Sequence, residues 1–195
     1  MQFFFQQTRI LRRFNARRGA QKDRPSVSSK MKKNNIILIG MPGCGKSTCG
    51  ILIAKALCKS FIDTDLLIQN REGCSLQDIL QSRGAEYFSE LEARILMSLA
   101  VENSVISTGG SAVYCDAAME HLRENGTVVY LRVSLDEMLG RIQNITTRGI
   151  LLHDGETVQE MYAAREPLYQ KYADVIIDCN ELTVEQAVEA VCRAW

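Results

Sequence analysis

Residues 40–48 read Gly-Met-Pro-Gly-Cys-Gly-Lys-Ser-Thr. The spacing G-x-x-x-x-G-K-[ST] suits a loop that cradles phosphate. Its glycines let the backbone curl so that N–H groups converge on an anion. A helix beginning directly after the loop adds its positive dipole end. Lys46 supplies a point charge for β and γ phosphates, and the Ser47 hydroxyl is a candidate Mg²⁺ ligand. Gly43, Cys44, Gly45, Lys46, Ser47 and Thr48 are therefore candidate nucleotide-binding residues. Downstream, Asp63-Thr64-Asp65 places two carboxylates one residue apart. Beside a phosphate loop, one can hold a metal through water and the other can take a proton from an attacking hydroxyl. Away from such a loop the same pair would be a helix cap or a solvated turn. The N-K-x-D pattern that reads guanine is absent.

These residues need rigid elements behind them. Ile36–Ile39 is a continuous apolar run, as expected of a strand buried on both faces. From Ser47 to Cys58, Ile51, Leu52, Ala54, Leu57 and Cys58 recur at helical spacing. The phosphate loop thus lies between strand and helix. Phe61–Asp63 reads as a second strand. Ser75 caps a helix over 76–83 with Gly84 as its stop, and 87–100 reads as a longer helix with Phe88, Leu91, Ile95 and Leu99 on one face. Strands follow at 104–107, 127–133 and 175–177, with helices at 117–124, 134–145, 157–172 and 183–194. Ser134 and Glu137 form a capping-box signature, and Pro167 should kink or break its helix. Residues 146–156 read as a loop. Alternating short strands and helices indicate one doubly wound α/β domain with a parallel sheet.

The chain has 195 residues, 46% hydrophobic and 24% charged, with no net charge. The balance hides an asymmetry. Residues 1–34 carry ten Lys and Arg against the single acid Asp23, while the remainder is acidic by nine charges. An acidic body does not favour nucleic acid as partner, and no apolar run approaches the ~20 residues that span a bilayer. Seven cysteines without a C-x-x-C pair fit reduced thiols in a cytoplasmic setting better than a disulfide framework or zinc site. The basic tail, residues 1–34, is expected to be disordered or not native. Its Arg-rich, acid-poor start reads as an organellar transit peptide, as an arm for RNA or anionic lipid, or as sequence upstream of the natural start at Met31.

The order of motifs over residues 35–195 resembles the shikimate kinase family of P-loop kinases. The resemblance rests on GMPGCGKST (40–48), FIDTD (61–65), REGCSLQDIL (71–80), GAEYFSELE (84–92), STGGSAV (107–113), VVYLRVSLDEML (128–139), TTRGILL (146–152) and AAREPLYQKYAD (163–174). It implies a five-stranded parallel sheet in the order 2-3-1-4-5 with a mobile lid. It also implies ATP- and Mg²⁺-dependent phosphorylation of a small molecule, with shikimate first among substrates, and the chain is expected to be a monomer. In those terms Lys46, Asp65 and Arg148 are catalytic, Arg148 being the lid arginine, and Ser47 and Asp63 serve the metal. Asp65, Gly109, Gly110 and Arg165 bind substrate, Arg165 through its carboxylate. Arg141 packs on adenine near 178–180. Each arginine also has a plainer reading, Arg141 as a solvated helix residue and Arg165 as a surface partner of Glu166. His121 and His153 lack metal-ligand spacing and read as surface residues. Cys44 reads as a small residue, reactive only if exposed.

Three positions depart from the family pattern. F-R-x-x-E appears as Phe88-Ser89-Glu90-Leu91-Glu92, so Ser89 replaces an arginine expected on the substrate carboxylate. The three-glycine run is Gly109-Gly110-Ser111, and the lid R-P-L-L is Arg148-Gly149-Ile150-Leu151. Two rival readings follow: a kinase for another small hydroxylated substrate, and a nucleotide-binding regulator without catalysis.

Overall fold

The computed structural model describes residues 33–142, 150–152 and 155–195. The basic tail up to residue 32, Arg148 with most of the expected lid, and His153 lie outside the described residues. Five parallel strands form one sheet in the order β2-β3-β1-β4-β5. They are β1 (Asn35–Ile39), β2 (Ser60–Asp63), β3 (Ser104–Ser107), β4 (Gly126–Arg132) and β5 (Val175–Asp178). The helices are α1 (Lys46–Leu57), α2 (Thr64–Glu72), α3 (Leu76–Met97), α4 (Asp116–Asn125), α5 (Leu135–Ile142), α6 (Val158–Tyr172) and α7 (Val184–Ala194). A short 3₁₀ turn spans Ala112–Tyr114.

The apolar run of β1 is wholly buried, as its sequence requires, because β3 and β4 flank it and helices cover both faces. The end of β1 opens into the phosphate loop. A second core cluster joins Ile68 of α2 to Ile79, Phe88, Leu91 and Ile95 of α3, with Leu151 packed on it. This cluster carries the acceptor side of the cavity described below.

Several local expectations change. Helix α2 was not legible: Asp63 ends β2 and at once caps α2, accepting from the Asp65 and Leu66 N–H groups. Gly84 breaks α3 into two helical segments at a kink, as expected of the stop of the 76–83 helix, its φ of 81° being open to glycine; only the gap before residue 87 is absent. Helix α6 continues through Pro167. The capping box at Ser134 is half formed. Ser134 Oγ accepts from Glu137 N–H, but the Ser134 N–H donates to Asn180 and the Glu137 carboxylate takes Arg141. Ile51 is 53% exposed, and the buried stripe of α1 is Cys49, Ile53 and Ala54.

One buried side chain fastens the far end of the sheet. Asn35 Nδ2 donates to Val101 O at 2.7 Å, and its Oδ1 accepts from the Ser104 N–H at 3.0 Å. It therefore aligns β1 with the start of β3. An Asn35→Ala substitution strands the buried Ser104 N–H, a loss of about 1–3 kcal/mol. Urea unfolding is expected to show that loss with an unchanged m value.

Candidate active site

The phosphate loop is shaped by close approach. Gly40 has φ 144°, and a Cβ there would lie 2.6 Å from the Leu131 carbonyl oxygen. Gly45 caps α1 in the left-handed conformation and offers no side chain to the first-turn N–H groups. The first turn of α1 has no acid either. The N-terminus of the helix is thus open to an anion. Lys46 is the first residue of α1 and only 8% exposed. Its Nζ folds back to donate to Gly40 O at 2.7 Å and Met41 O at 2.9 Å. Among the described residues no carboxylate pairs with it. Ser47 Oγ lies 3.4 Å from Ser107 Oγ at the end of β3.

Across the cavity, Asp63 and the first turn of α2 bring Asp65 to the wall. The loop after β3 is tied on both sides: Thr108 Oγ1 donates to Leu38 O at 3.0 Å, and the Gly109 N–H donates to Thr64 Oγ1 at 3.2 Å. Gly110 O accepts from Tyr169 OH of α6 at 2.6 Å. Arg165, one turn before Tyr169, is 1% exposed. Its Nη2 donates to Leu151 O at 2.5 Å and its Nε to Tyr114 OH at 3.2 Å, over the face of the Tyr114 ring. Among the described residues no carboxylate lies within ion-pair reach of it. The surface pair with Glu166 is therefore excluded.

Glu92 lies behind this loop at 2% exposure. Its Oε2 accepts from Ser111 Oγ at 2.6 Å, while Oε1 has no hydrogen-bond partner among the described residues. A Cβ on Gly109 would sit 2.2 Å from Glu92 Oε1 and 2.9 Å from Asp65 Oδ1, so only glycine fits between the two carboxyl groups. Burial pushes the Glu92 carboxyl up to about 7. The Asp65 charge adds to that rise, while the Ser111 hydrogen bond, Arg165 and Lys46 oppose it.

A cavity of about 320 Å³ joins the two sides. The phosphate side presents Pro42, Gly43, Gly45, Lys46 and Ser47, and the acceptor side Asp63, Asp65, Gly109, Gly110, Ser111 and Arg165. Ile51, Phe61, Leu66 and Phe88 supply its apolar wall. One end can hold phosphate and the other an anionic, hydroxylated small molecule. The family profile described as Shikimate kinase matches residues 42–195, which include every wall of this cavity.

The chain belongs to the shikimate kinase family. A shikimate kinase of Caldanaerobacter subterraneus subsp. tengcongensis is 37% identical over 164 residues, covering 83% of this chain and 95% of the relative. One of Clostridium botulinum is 39% identical over 165 residues, with the same coverage of both chains. Shikimate kinase from Acinetobacter baumannii in complex with shikimate superposes with a TM-score of 0.76 at 27% identity, over 83% of this chain and 92% of that one. Shikimate kinase of Aquifex aeolicus gives 0.71 at 32% identity, over 82% and 95%.

Within this shikimate kinase family member, three residues read as nucleotide-binding do not line the cavity. Cys44 is buried beneath the loop, which removes it as an exposed reactive thiol, and Thr48 is exposed on α1. Arg141 stands beside the cavity, where it donates to Cys44 O at 3.4 Å, Cys179 O at 3.3 Å and Glu137 Oε1 at 2.9 Å. It is a clamp between the phosphate loop and residues 178–180 rather than a solvated residue. His121 is half-buried against Leu99 O at 2.8 Å. Ser89 is half-buried on α3 and outside the cavity lining. Sequence reasoning passed over Glu92, although the signal was present: it shares the buried face of Phe88, Leu91 and Ile95, where a carboxylate is out of place.

Because the folded protein holds the Glu92 proton to about pH 7 and the unfolded chain releases it near 4.5, the native state binds more protons between those values. Glu92 therefore makes stability fall as pH rises from about 4.5 to 7, by at most on the order of 3 kcal/mol. Glu92→Gln is expected to remove that part of the slope when Tm is followed from pH 4.5 to 8. An unchanged slope would show that Glu92 is not the group involved.

Proposed function

We propose that the chain transfers the γ-phosphoryl group of ATP to a ring hydroxyl of shikimate. The observation that carries this reading is Arg165, a guanidinium fully buried at the acceptor end without a carboxylate partner among the described residues. A buried cation in that state is completed by an anionic ligand, and the carboxylate of shikimate is such a group. The family is one of ATP-dependent phosphotransferases.

In this proposal the backbone from Gly43 to Ser47, with Thr48, holds the phosphates, and Lys46 meets the charge that develops on them in transfer. Arg141 and residues 178–180 take the adenine. Asp65 orients the acceptor hydroxyl and accepts its proton. Gly109 and Gly110 line the ring, Arg165 takes the carboxylate, and Arg148 closes over the transferring group. A hydroxyl and a carboxylate lining one cavity fit Mg²⁺, which takes hard oxygen ligands and leaves the rest of its shell to water and phosphate. Ser47 and, through water, Asp63 would hold it, and it would neutralise phosphate charge. We infer further that residues 35–195 are the catalytic unit, acting as a monomer. All seven cysteines are unpaired, which favours a reducing compartment such as the cytoplasm.

A second reading rests on Ser89. A serine hydroxyl cannot reproduce the planar, two-point grip of an arginine on a carboxylate. If the acceptor carries no carboxylate there, Ser89→Arg will damage its turnover. If the acceptor is shikimate, Ser89→Arg will lower KM, by roughly ten- to a hundred-fold for a charged hydrogen bond of about 1.5–3 kcal/mol.

Coupled ADP release with shikimate tests the reading directly. Lys46→Ala is expected to lower kcat by about 10²-fold or more. Asp65→Asn should leave ATP affinity nearly unchanged and lower kcat by about 10²–10⁴-fold. Retention of more than about a tenth of wild-type kcat by Asp65→Asn would remove Asp65 as the base.

A further inference from the structure

Glu92 is a buried acid that no cation pairs with among the described residues, Ser111, Arg165 and Lys46 compensating its charge only in part. It stands on the apolar face of α3, fully buried, with one oxygen on Ser111 and the other unpartnered among the described residues. The groups that face it are Asp65 from α2, Lys46 from α1, Arg165 and Tyr169 from α6, and Ser111 after β3. Neither cation reaches it: Lys46 is spent on loop carbonyls and Arg165 on Leu151 and Tyr114. The position three residues earlier on the same helix, from which a side chain could reach it, holds Ser89 rather than a cation. On its remaining side is Asp65, both carboxyl groups closing on Gly109.

We propose that Glu92 is a positioning residue that couples binding of the acid substrate to proton uptake, so that the substrate carboxylate binds the form in which Glu92 is neutral. The inference rests on the reading that the acceptor is a carboxylic acid. An ionised Glu92 spends part of the Arg165 field and repels an incoming anion. A neutral Glu92 leaves that field to the substrate. Linkage is reciprocal: if the proton favours the substrate, the substrate favours the proton to the same degree. The proton comes from solvent and stays on the Glu92 carboxyl. The free protein holds that proton to about pH 7. Substrate binding is therefore proton-neutral well below pH 6 and takes up a proton near pH 8. Because only the protonated fraction is competent, the apparent Kd rises with pH, on the order of tenfold between pH 6.5 and 8.5.

The test is calorimetric titration of shikimate into the full chain at pH 8, in buffers of low and high ionisation enthalpy such as phosphate and Tris. The expected result is uptake of more than half a proton per shikimate bound. Glu92→Gln keeps the shape and the neutral state, so it should bind without uptake and with a Kd that is flat from pH 6.5 to 8.5. Should that variant not fold, Ser89→Arg offers a second arm: a cation beside Glu92 keeps it ionised and likewise abolishes uptake. Binding by the wild type with no buffer-dependent heat, or uptake that persists in both variants, would overturn the proposal while leaving the acid-substrate reading intact. Absence of binding at millimolar shikimate would overturn both.

Discussion

Lys46 and Arg165 are buried cations whose hydrogen bonds, among the described residues, go to uncharged partners: backbone carbonyls, a tyrosine hydroxyl and the Cys44 sulfur. Such groups are costly in a protein interior, and dipoles repay only part of the cost. They are tolerated here because backbone carbonyls and a tyrosine hydroxyl hold their geometry, leaving charge in excess at both ends of one cavity. An ion pair at either site would fill it from within. In the proposed function these are two anion sites, one for phosphate and one for an acid, with Asp65 on the wall between.

The sheet order explains why these groups meet. β1 lies between β3 and β4, so its loop, the turn after β3 and the end of β2 open on the same edge. In open parallel sheets this is where ligands bind, beyond the carboxyl ends of the strands. Tertiary hydrogen bonds then fix the spacing. Thr108 joins the β3 loop to β1, Thr64 joins it to α2, and Tyr169 joins it to α6. A shift in any of them moves the acceptor relative to the phosphate loop.

The strand, loop and helix from Asn35 to Leu57 were legible because buried apolar runs and glycine spacing are local signals. Helix α2 was hidden because Asp63 belongs to two elements at once, ending β2 and capping α2. Pro167 looked disruptive because the removal of one N–H is visible in sequence, while the packing that holds α6 around Arg165 and Tyr169 is not. Arg165 could be read either as a surface partner or as a ligand, and only burial decides between them. Glu92 was written into the sequence as a carboxylate on an apolar helix face. That Ser111 partners only one of its oxygens, with Ser89 and Gly109 offering no cation nearby, is a tertiary fact that no local pattern carries.

We propose that Arg165, which has no carboxylate partner among the described residues, takes the carboxylate of the acceptor. Comparing shikimate with its methyl ester, in the wild type and in Arg165→Met, tests it most directly. The wild type is expected to turn over the ester with a kcat/KM about ten- to a hundred-fold lower than the acid, and Arg165→Met to bring acid and ester to within a few-fold of each other. Equal turnover of acid and ester by the wild type, or an undiminished preference for the acid in Arg165→Met, would contradict it.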